Sequence, residues 1–181
     1  MLSLNIQSIT AKFDEFNDFL QSFDKFKFDV ICLQELWRMH NPDIFHIDGY
    51  HELIFKSRSL NTQGGGVGIY VNNQLKVTNL PDYSIFIDKI VETVFVEIEL
   101  PSKKKIVVGS IYRPNSAYVN MSSLQQLEKF LETINSIICK FFKQEREFIY
   151  LAISTLTYLK LNITNKQQTT STLSFLLAAF N

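Results

Sequence analysis

The spacing of hydrophobic and polar residues predicts two amphipathic helices among several strands. Residues 2–6 alternate between apolar and polar side chains, as a half-buried strand does. From residue 11 to residue 28, phenylalanine and leucine recur every three or four positions. This spacing predicts a helix with one apolar face, and Thr10 stands where its N-cap is expected. The same periodicity predicts a second helix from Ser122 to Lys143.

Other segments are apolar enough to be strands. Residues 29–35 form a continuous apolar run that ends in Gln34 and Glu35, which is typical of a central strand covered on both faces. Further strands are predicted at residues 52–56, 67–71, 91–100, 105–112 and 148–153. Because the helices lie between blocks of strands, we expect an α/β protein in which two sheets pack face to face with helices outside.

Composition narrows the class of protein. The 181 residues suffice for one domain, so residues 1–181 are predicted to form a single domain. Hydrophobic residues make up 46% of the chain, which excludes a disordered tail. Eighteen basic and eighteen acidic residues give a net charge of zero, which argues against a passive nucleic-acid coat but not against an enzyme that contacts a few phosphates.

The N-terminus and the lack of a long apolar run predict where in the cell the protein is found, and the two cysteines are expected to be buried. Residues 1–12 lack the pattern of a signal peptide, and no apolar run approaches the roughly 20 residues that cross a bilayer. These features predict an intracellular protein, nuclear or cytoplasmic, with no membrane contact. Cys32 and Cys139 each stand in an apolar run, so we expect buried, unreactive thiols.

Two groups of residues resemble functional motifs only superficially. The glycines at 64, 65, 66 and 68 complete neither a dinucleotide-binding fingerprint nor a P-loop, so they predict a tight turn before a strand. His40, His46 and His51 lie near acidic residues, but their spacing places them on no common helix face. We interpret them as solvated loop histidines.

Three residues at predicted strand ends are candidates for chemistry. Glu35 closes a buried run, a position where sites of α/β proteins are commonly built, although an ordinary strand-end charge fits equally well. If the strand of Asn5 neighbours that of Glu35, both side chains can reach one Mg²⁺, which prefers oxygen ligands. Tyr112 and Arg113 carry groups suited to bind phosphate, or they mark a strand ended by Pro114.

Four segments occur in an order and spacing that resemble a known family. They are residues 4–8, 29–37, 64–70 and 109–114. Together they resemble the endonuclease/exonuclease/phosphatase superfamily, in particular the apurinic-like endonuclease domain of non-LTR retrotransposon polyproteins. The resemblance implies a four-layer α/β sandwich of two packed mixed sheets flanked by helices. It also implies Mg²⁺-dependent hydrolysis of a DNA phosphodiester, with DNA as the partner and no small-molecule cofactor.

The resemblance assigns roles residue by residue. Asn5 matches the first active-site asparagine of the family, and Glu35 matches its metal-binding glutamate. Tyr112 matches the tyrosine that contacts the scissile phosphate. The catalytic candidates are therefore Asn5, Glu35 and Tyr112, and the metal ligands are Glu35 and Asn5.

The sequence departs from the family in its last part. The strand at residues 148–152 leads in the family to Gly-Asp-x-Asn, whose Asp positions the attacking water and whose Asn stabilises the transition state. Here Ile153 to Tyr158 supply neither residue, and the sequence ends at Asn181 before the family's Asp-His pair. We therefore expect a C-terminally truncated copy with impaired catalysis. The alternatives are a non-catalytic module that binds nucleic acid or protein, and an active phosphatase of the same superfamily.

A change of reading frame accounts for the missing motif. If an ancestor encoded Asp-Phe-Asn-Ile-Leu as GAC TTT AAC ATA CTT followed by AAA and a purine, reading one nucleotide later gives Thr-Leu-Thr-Tyr-Leu-Lys. Residues 155–160 have this sequence. We therefore hypothesise a frame error at the catalytic motif, and sequencing the transcript tests it.

Overall fold

The structure, a computed structural model, describes residues 1–23, 28–58, 64–114, 121–144, 148–153 and 156–162. Its helices are α1 (Ile9–Gln21) and α2 (Ser123–Lys143). Its strands are β1 (Leu2–Asn5), β2 (Val30–Gln34), β3 (Ile54–Lys56), β4 (Val67–Val71), β5 (Lys76–Asn79), β6 (Phe86–Ile87), β7 (Val91–Glu99), β8 (Lys105–Tyr112), β9 (Phe148–Ile153) and β10 (Leu156–Asn162).

The strands form two mixed sheets. In the first, the order is β1-β2-β4-β3, with β1 parallel to β2 and the other pairs antiparallel. In the second, the order is β10-β9-β8-β7-β5, and β6 also pairs with β7. Only β8 and β9 are parallel there, joined by the helical crossover through α2. The carboxyl ends of β1 and β2, the carboxyl end of β8 and the start of β7 carry the residues of the candidate site.

Three clusters of buried residues hold four layers together. Between the sheets lie small and β-branched side chains, namely Val30, Cys32, Val67, Ile69, Val71, Val94, Val96, Ile98, Val108 and Ala152. The outer face of the first sheet packs against α1 through Ile9 and Phe16. The outer face of the second sheet packs against the buried stripe of α2, which includes Phe130 and Phe141. The predicted four-layer α/β sandwich is confirmed.

Helix α2 follows its sequence prediction closely. Its N-cap is Ser122, whose hydroxyl accepts from the Gln125 amide, while the Gln125 side chain accepts from the Ser122 amide. This reciprocal pair satisfies two backbone donors that the first turn leaves free. Burial of each large apolar side chain on the inner face stabilises the packing by roughly 1.5–3 kcal/mol.

The prediction for α1 was wrong at both ends. The N-cap is Ser8, whose hydroxyl accepts from the Ala11 amide at 3.3 Å. Thr10 instead donates its hydroxyl to the Arg38 carbonyl at 2.9 Å, so it serves a tertiary contact and not the cap. The helix ends at Gln21, and Ser22 closes it by donating to the Asp18 and Phe19 carbonyls.

The sequence also missed some strands. β5 is largely polar and lies at the exposed edge of its sheet, and β6 has only two residues, so neither shows a useful hydrophobic pattern. β7 is buried on both faces, because α2 covers one face and the first sheet covers the other. β10 was not predicted. The apolar segment 173–180 lies outside the described residues.

The two thiols differ from each other. Cys32 is completely buried between the sheets, and this burial raises the pKa of its thiol to about 12. Cys139 is only half-buried, with its Sγ 3.7 Å from Asn135 Oδ1, so the expectation of burial was wrong there. Within the described part of the chain, no helix is long and apolar enough to span a bilayer.

Candidate active site

A hydrogen bond between the sheets marks the candidate active site. Glu35 directly follows β2 in the first sheet, and Tyr112 is the last residue of β8 in the second. The Tyr112 hydroxyl donates to Glu35 Oε1 at 2.8 Å. Two of the three residues singled out by sequence are therefore in direct contact, although they are 77 positions apart.

Asn5 lies at the same end of the first sheet. It is the last residue of β1 and pairs in register with Gln34, the residue before Glu35. The predicted neighbourhood of the two strands is therefore confirmed. Asn5 is exposed and Glu35 is half-buried, so both side chains are open to a ligand from solvent.

The backbone around Glu35 is held in an uncommon conformation. Glu35 has a φ of +56°, in the left-handed region that few residues other than glycine adopt. Its carbonyl accepts from the Ser8 amide at 2.9 Å, and the next carbonyl, that of Leu36, accepts from the Ile9 amide at 3.1 Å. The turn between β1 and α1 thus fixes one side of the Glu35 loop.

The glycine-rich turn fixes the other side. Leu36 and Trp37 donate their amides to the carbonyls of Gly66 and Gly65 at 3.2 Å and 2.8 Å. Both glycines have positive φ, of +87° and +74°. A Cβ on Gly66 would meet the Leu36 Cβ at 3.2 Å, so a side chain there would crowd the loop. The prediction of a tight turn before a strand is confirmed, and the turn also supports the site.

A buried glutamate that sequence analysis did not single out holds this turn. Glu92, near the start of β7, is 1% exposed and accepts from the Gly66 amide and from the Arg58 guanidinium, whose Nε lies at 2.6 Å. Burial raises its pKa, while the Gly66 amide and Arg58 act in the opposite direction. The backbone of Gly65 packs closely against this pair, and a side chain there would clash, because a Cβ would lie 2.3 Å from Arg58 Nε. The sequence feature that could have revealed Glu92 is a carboxylate within a predicted, largely apolar strand.

Electrostatics keep Tyr112 in its protonated form. Burial raises the pKa of its phenol, and the neighbouring Glu35 and Glu92 carboxylates raise it further. Glu92 faces Tyr112 in the antiparallel ladder of β7 and β8. At neutral pH the Tyr112 hydroxyl is therefore a hydrogen-bond donor, which suits an anionic oxygen.

A buried polar contact joins the sheets next to the site. Gln34 and Ser110 are both almost fully buried, and Gln34 Nε2 donates to Ser110 Oγ at 3.2 Å. Ser110 in turn donates to the Leu33 carbonyl at 3.1 Å. Gln34 is one residue before Glu35, and Ser110 is two residues before Tyr112. The bonds between β2 and β8 therefore constrain the distance between the Glu35 carboxylate and the Tyr112 hydroxyl.

The oxygen ligands of Glu35 and Asn5 are of the kind that Mg²⁺ prefers. Glu35 supplies a carboxylate and Asn5 an amide oxygen, and Mg²⁺ is commonly held by one or two carboxylates with water completing its shell. Among the described residues, no three His, Cys, Asp or Glu side chains group together. The site therefore offers one charged ligand.

The end of β9 differs from what the resemblance requires. β9 runs parallel to β8, so its carboxyl end points toward the site edge, where the resemblance described above predicts Gly-Asp-x-Asn. β10 pairs antiparallel with β9 directly after residues 154–155. The sequence contains no Asp or Asn from Phe148 to Leu161, and Asn162 pairs with Phe148 at the far end of the strand.

The other candidate clusters lie elsewhere. His46 is 3.5 Å from Asp48 on the surface, whereas His51 is half-buried and its Nε2 is 2.8 Å from the Leu75 carbonyl oxygen. The lysines of the β7–β8 turn are exposed at the opposite end from the site. Lys103 contacts Glu99 and Lys105 contacts Glu97.

Fold and site together define an α/β sandwich with oxygen ligands and a phenol at one edge of its packed sheets. The chain belongs to the endonuclease/exonuclease/phosphatase family, whose model matches residues 2–138. None of the curated proteins matches the sequence.

Several solved structures resemble the chain. An AP endonuclease from Leishmania major is 14% identical, with a TM-score of 0.57 over 84% of this chain and 54% of its own. A 3′ phosphatase from Neisseria, bound to a product DNA hairpin, is 12% identical, with a TM-score of 0.55 over 84% and 56%. The endonuclease domain of the non-LTR retrotransposon TRAS1 is 16% identical, with a TM-score of 0.48 over 82% and 56%. The chain thus spans about half the length of these structures, and at such identities the likeness establishes the fold alone.

Proposed function

We propose that this domain binds the phosphodiester backbone of DNA at the Glu35–Tyr112 site, together with Mg²⁺, as an endonuclease domain of the non-LTR retrotransposon type. The observation that carries the proposal is the 2.8 Å hydrogen bond that joins Glu35 of one sheet to Tyr112 of the other. It holds the Glu35 carboxylate beside a phenol that stays protonated at neutral pH. A cation and a hydrogen-bond donor each stabilise the negative charge of a phosphate oxygen.

The residues take distinct roles in this proposal. Glu35 and Asn5 hold Mg²⁺, which when bound supplies a Lewis acid that polarises the phosphoryl oxygen. When phosphate binds, the Tyr112 hydroxyl turns from Glu35, which then holds Mg²⁺, and donates its hydrogen bond to a non-bridging oxygen of the phosphate. Glu92 and Gly66 act indirectly, since they fix the turn that holds the Glu35 loop.

We further propose that hydrolysis is severely impaired. The segment directly after β9, residues 154–161, contains no carboxylate to activate water and no side-chain amide to stabilise the transition state. A general base contributes about 10²–10⁴ to a rate, and a transition-state donor contributes about 10²–10³. The same observation favours a second candidate function, a non-catalytic module that binds nucleic acid or protein through this fold.

Fluorescence anisotropy of labelled duplex DNA tests the proposed binding. We expect binding that strengthens when Mg²⁺ is added, and we expect Glu35→Gln to abolish this strengthening. Glu132→Gln is the matched control, because Glu132 is an exposed carboxylate on α2, the layer outside the second sheet. Binding that is absent, or that responds to Mg²⁺ equally in the wild type and Glu35→Gln, would overturn the proposal.

A further inference from the structure

Trp37 combines exposure with backbone strain. It is the only tryptophan of the chain, and it is 39% exposed two residues after Glu35. Its φ is +61°, a left-handed conformation that is a genuine outlier for a bulky side chain. Strain of this kind persists only where surrounding contacts impose it, and it concentrates at functional sites.

The contacts that impose the strain are those of the Glu35 loop. The Trp37 amide donates to the Gly65 carbonyl at 2.8 Å, so the backbone cannot relax without breaking this bond. The indole Nε1 lies 3.4 Å from Glu35 Oε2, which turns the polar edge of the ring toward the carboxylate. The loop therefore presents an accessible aromatic ring beside the residue that the proposed function assigns to the metal.

A second exposed aromatic ring is linked to the same loop through Gly65 and Arg58. Gly65, which accepts from Trp37, lies against the Arg58 side chain. The Arg58 guanidinium in turn lies over the Phe86 ring, with its Cζ 5.8 Å from the ring centroid, and Phe86 is 41% exposed. Proteins that bind single-stranded nucleic acid use accessible aromatic rings of this kind to stack bases next to a phosphate-binding groove.

We infer that Trp37 stacks on an unpaired base of the DNA next to the phosphate bound at the Glu35–Tyr112 site. This inference rests on the proposed function. It makes Trp37 a specificity-determining residue that favours DNA in which a base is free of its partner, because the π-face of a paired base is covered by its neighbours in the duplex.

The single tryptophan allows a direct test in the intact chain. The probes are a short single-stranded oligodeoxythymidylate and an abasic deoxyribose-phosphate oligomer of equal length and charge, each titrated with Mg²⁺ present. We expect the oligodeoxythymidylate to quench Trp37 fluorescence and the abasic oligomer to leave it nearly unchanged. Labelled versions of both oligomers report affinity by anisotropy.

Two substitutions separate stacking from phosphate binding. Trp37→Leu removes the π-face and is expected to weaken oligodeoxythymidylate binding roughly tenfold, while binding of the abasic oligomer stays unchanged. Trp37→Phe keeps an aromatic ring and is expected to retain most of the affinity. Equal binding of both oligomers with equal fluorescence changes would overturn the inference and leave the proposed function standing. Binding of neither oligomer would overturn the inference, and the duplex anisotropy assay then shows whether the proposed function fails with it.

Discussion

At the scale of single residues, the Tyr112 hydroxyl is the group on which the site depends most. It donates to Glu35 and faces Glu92 across the ladder, so it lies between two carboxylates. It bridges the sheets only in its protonated form, because a phenolate would be repelled by both neighbours.

Removing this hydroxyl is expected to lower stability measurably. Tyr112→Phe keeps the ring and deletes the bond to Glu35. Hydrogen bonds to charged groups contribute roughly 1.5–3 kcal/mol, and the half-buried setting places this one near the lower end. Urea denaturation of the wild type and the variant measures the difference. An unchanged midpoint would show that the bond between the sheets contributes nothing to stability.

The same residue predicts a loss of stability in alkali. The phenol of Tyr112 has a pKa raised above its ordinary value, which is about 10 in the unfolded chain. Above that pH the unfolded state releases this proton while the folded state keeps it, so stability falls as pH rises. Denaturation series at increasing pH should show a smaller decline for Tyr112→Phe than for the wild type. Parallel declines would contradict the assignment.

At the scale of elements, the glycine-rich turn before β4 connects the buried Glu92–Arg58 pair to the Glu35 loop. Glu92 binds the Gly66 amide, and the carbonyls of Gly65 and Gly66 bind the loop. The position of the Glu35 loop in the first sheet therefore depends, through this turn, on the position of β7 in the second sheet.

Glu92→Gln tests this connection. It leaves the largely buried Arg58 guanidinium without its carboxylate, and breaking such a pair costs about 3–5 kcal/mol when burial is complete. Glu97→Gln is the matched control on the same strand, because Glu97 is also buried but its partner Lys105 is largely exposed, so the substitution leaves no buried charge unpaired and the expected loss is smaller. Thermal melts compare the two. Equal losses would contradict a special role for Glu92.

Local patterns predicted the elements better than the contacts between them. The helix that begins near Ser122 and the run that ends in Glu35 could both be predicted from adjacent residues. The neighbourhood of Asn5 and Glu35 follows from two parallel strands. The Arg58–Glu92 pair joins residues 34 positions apart, which no local pattern can reveal. The N-cap of α1 was misplaced because Ser8 and Thr10 are both good caps, and a tertiary contact with Arg38 decides between them.

At the scale of the whole molecule, two sheets bring one carboxylate, one amide and one phenol to a common edge. With a single charged ligand, Mg²⁺ is expected to bind only weakly. Isothermal titration calorimetry of the wild type should give a dissociation constant for Mg²⁺ that is in the millimolar range or higher. Submillimolar binding that disappears in Glu35→Gln would show a more complete metal site than these residues provide.

We propose that the site has side chains suited to bind Mg²⁺ and phosphate, while the segment directly after β9 lacks a group that activates water. Nicking of supercoiled plasmid DNA with Mg²⁺, measured side by side for the wild type and Glu35→Gln, tests it most directly. We expect the wild type and Glu35→Gln to leave the plasmid supercoiled to the same extent, with and without Mg²⁺. Nicking by the wild type that requires Mg²⁺ and is lost in Glu35→Gln would contradict it.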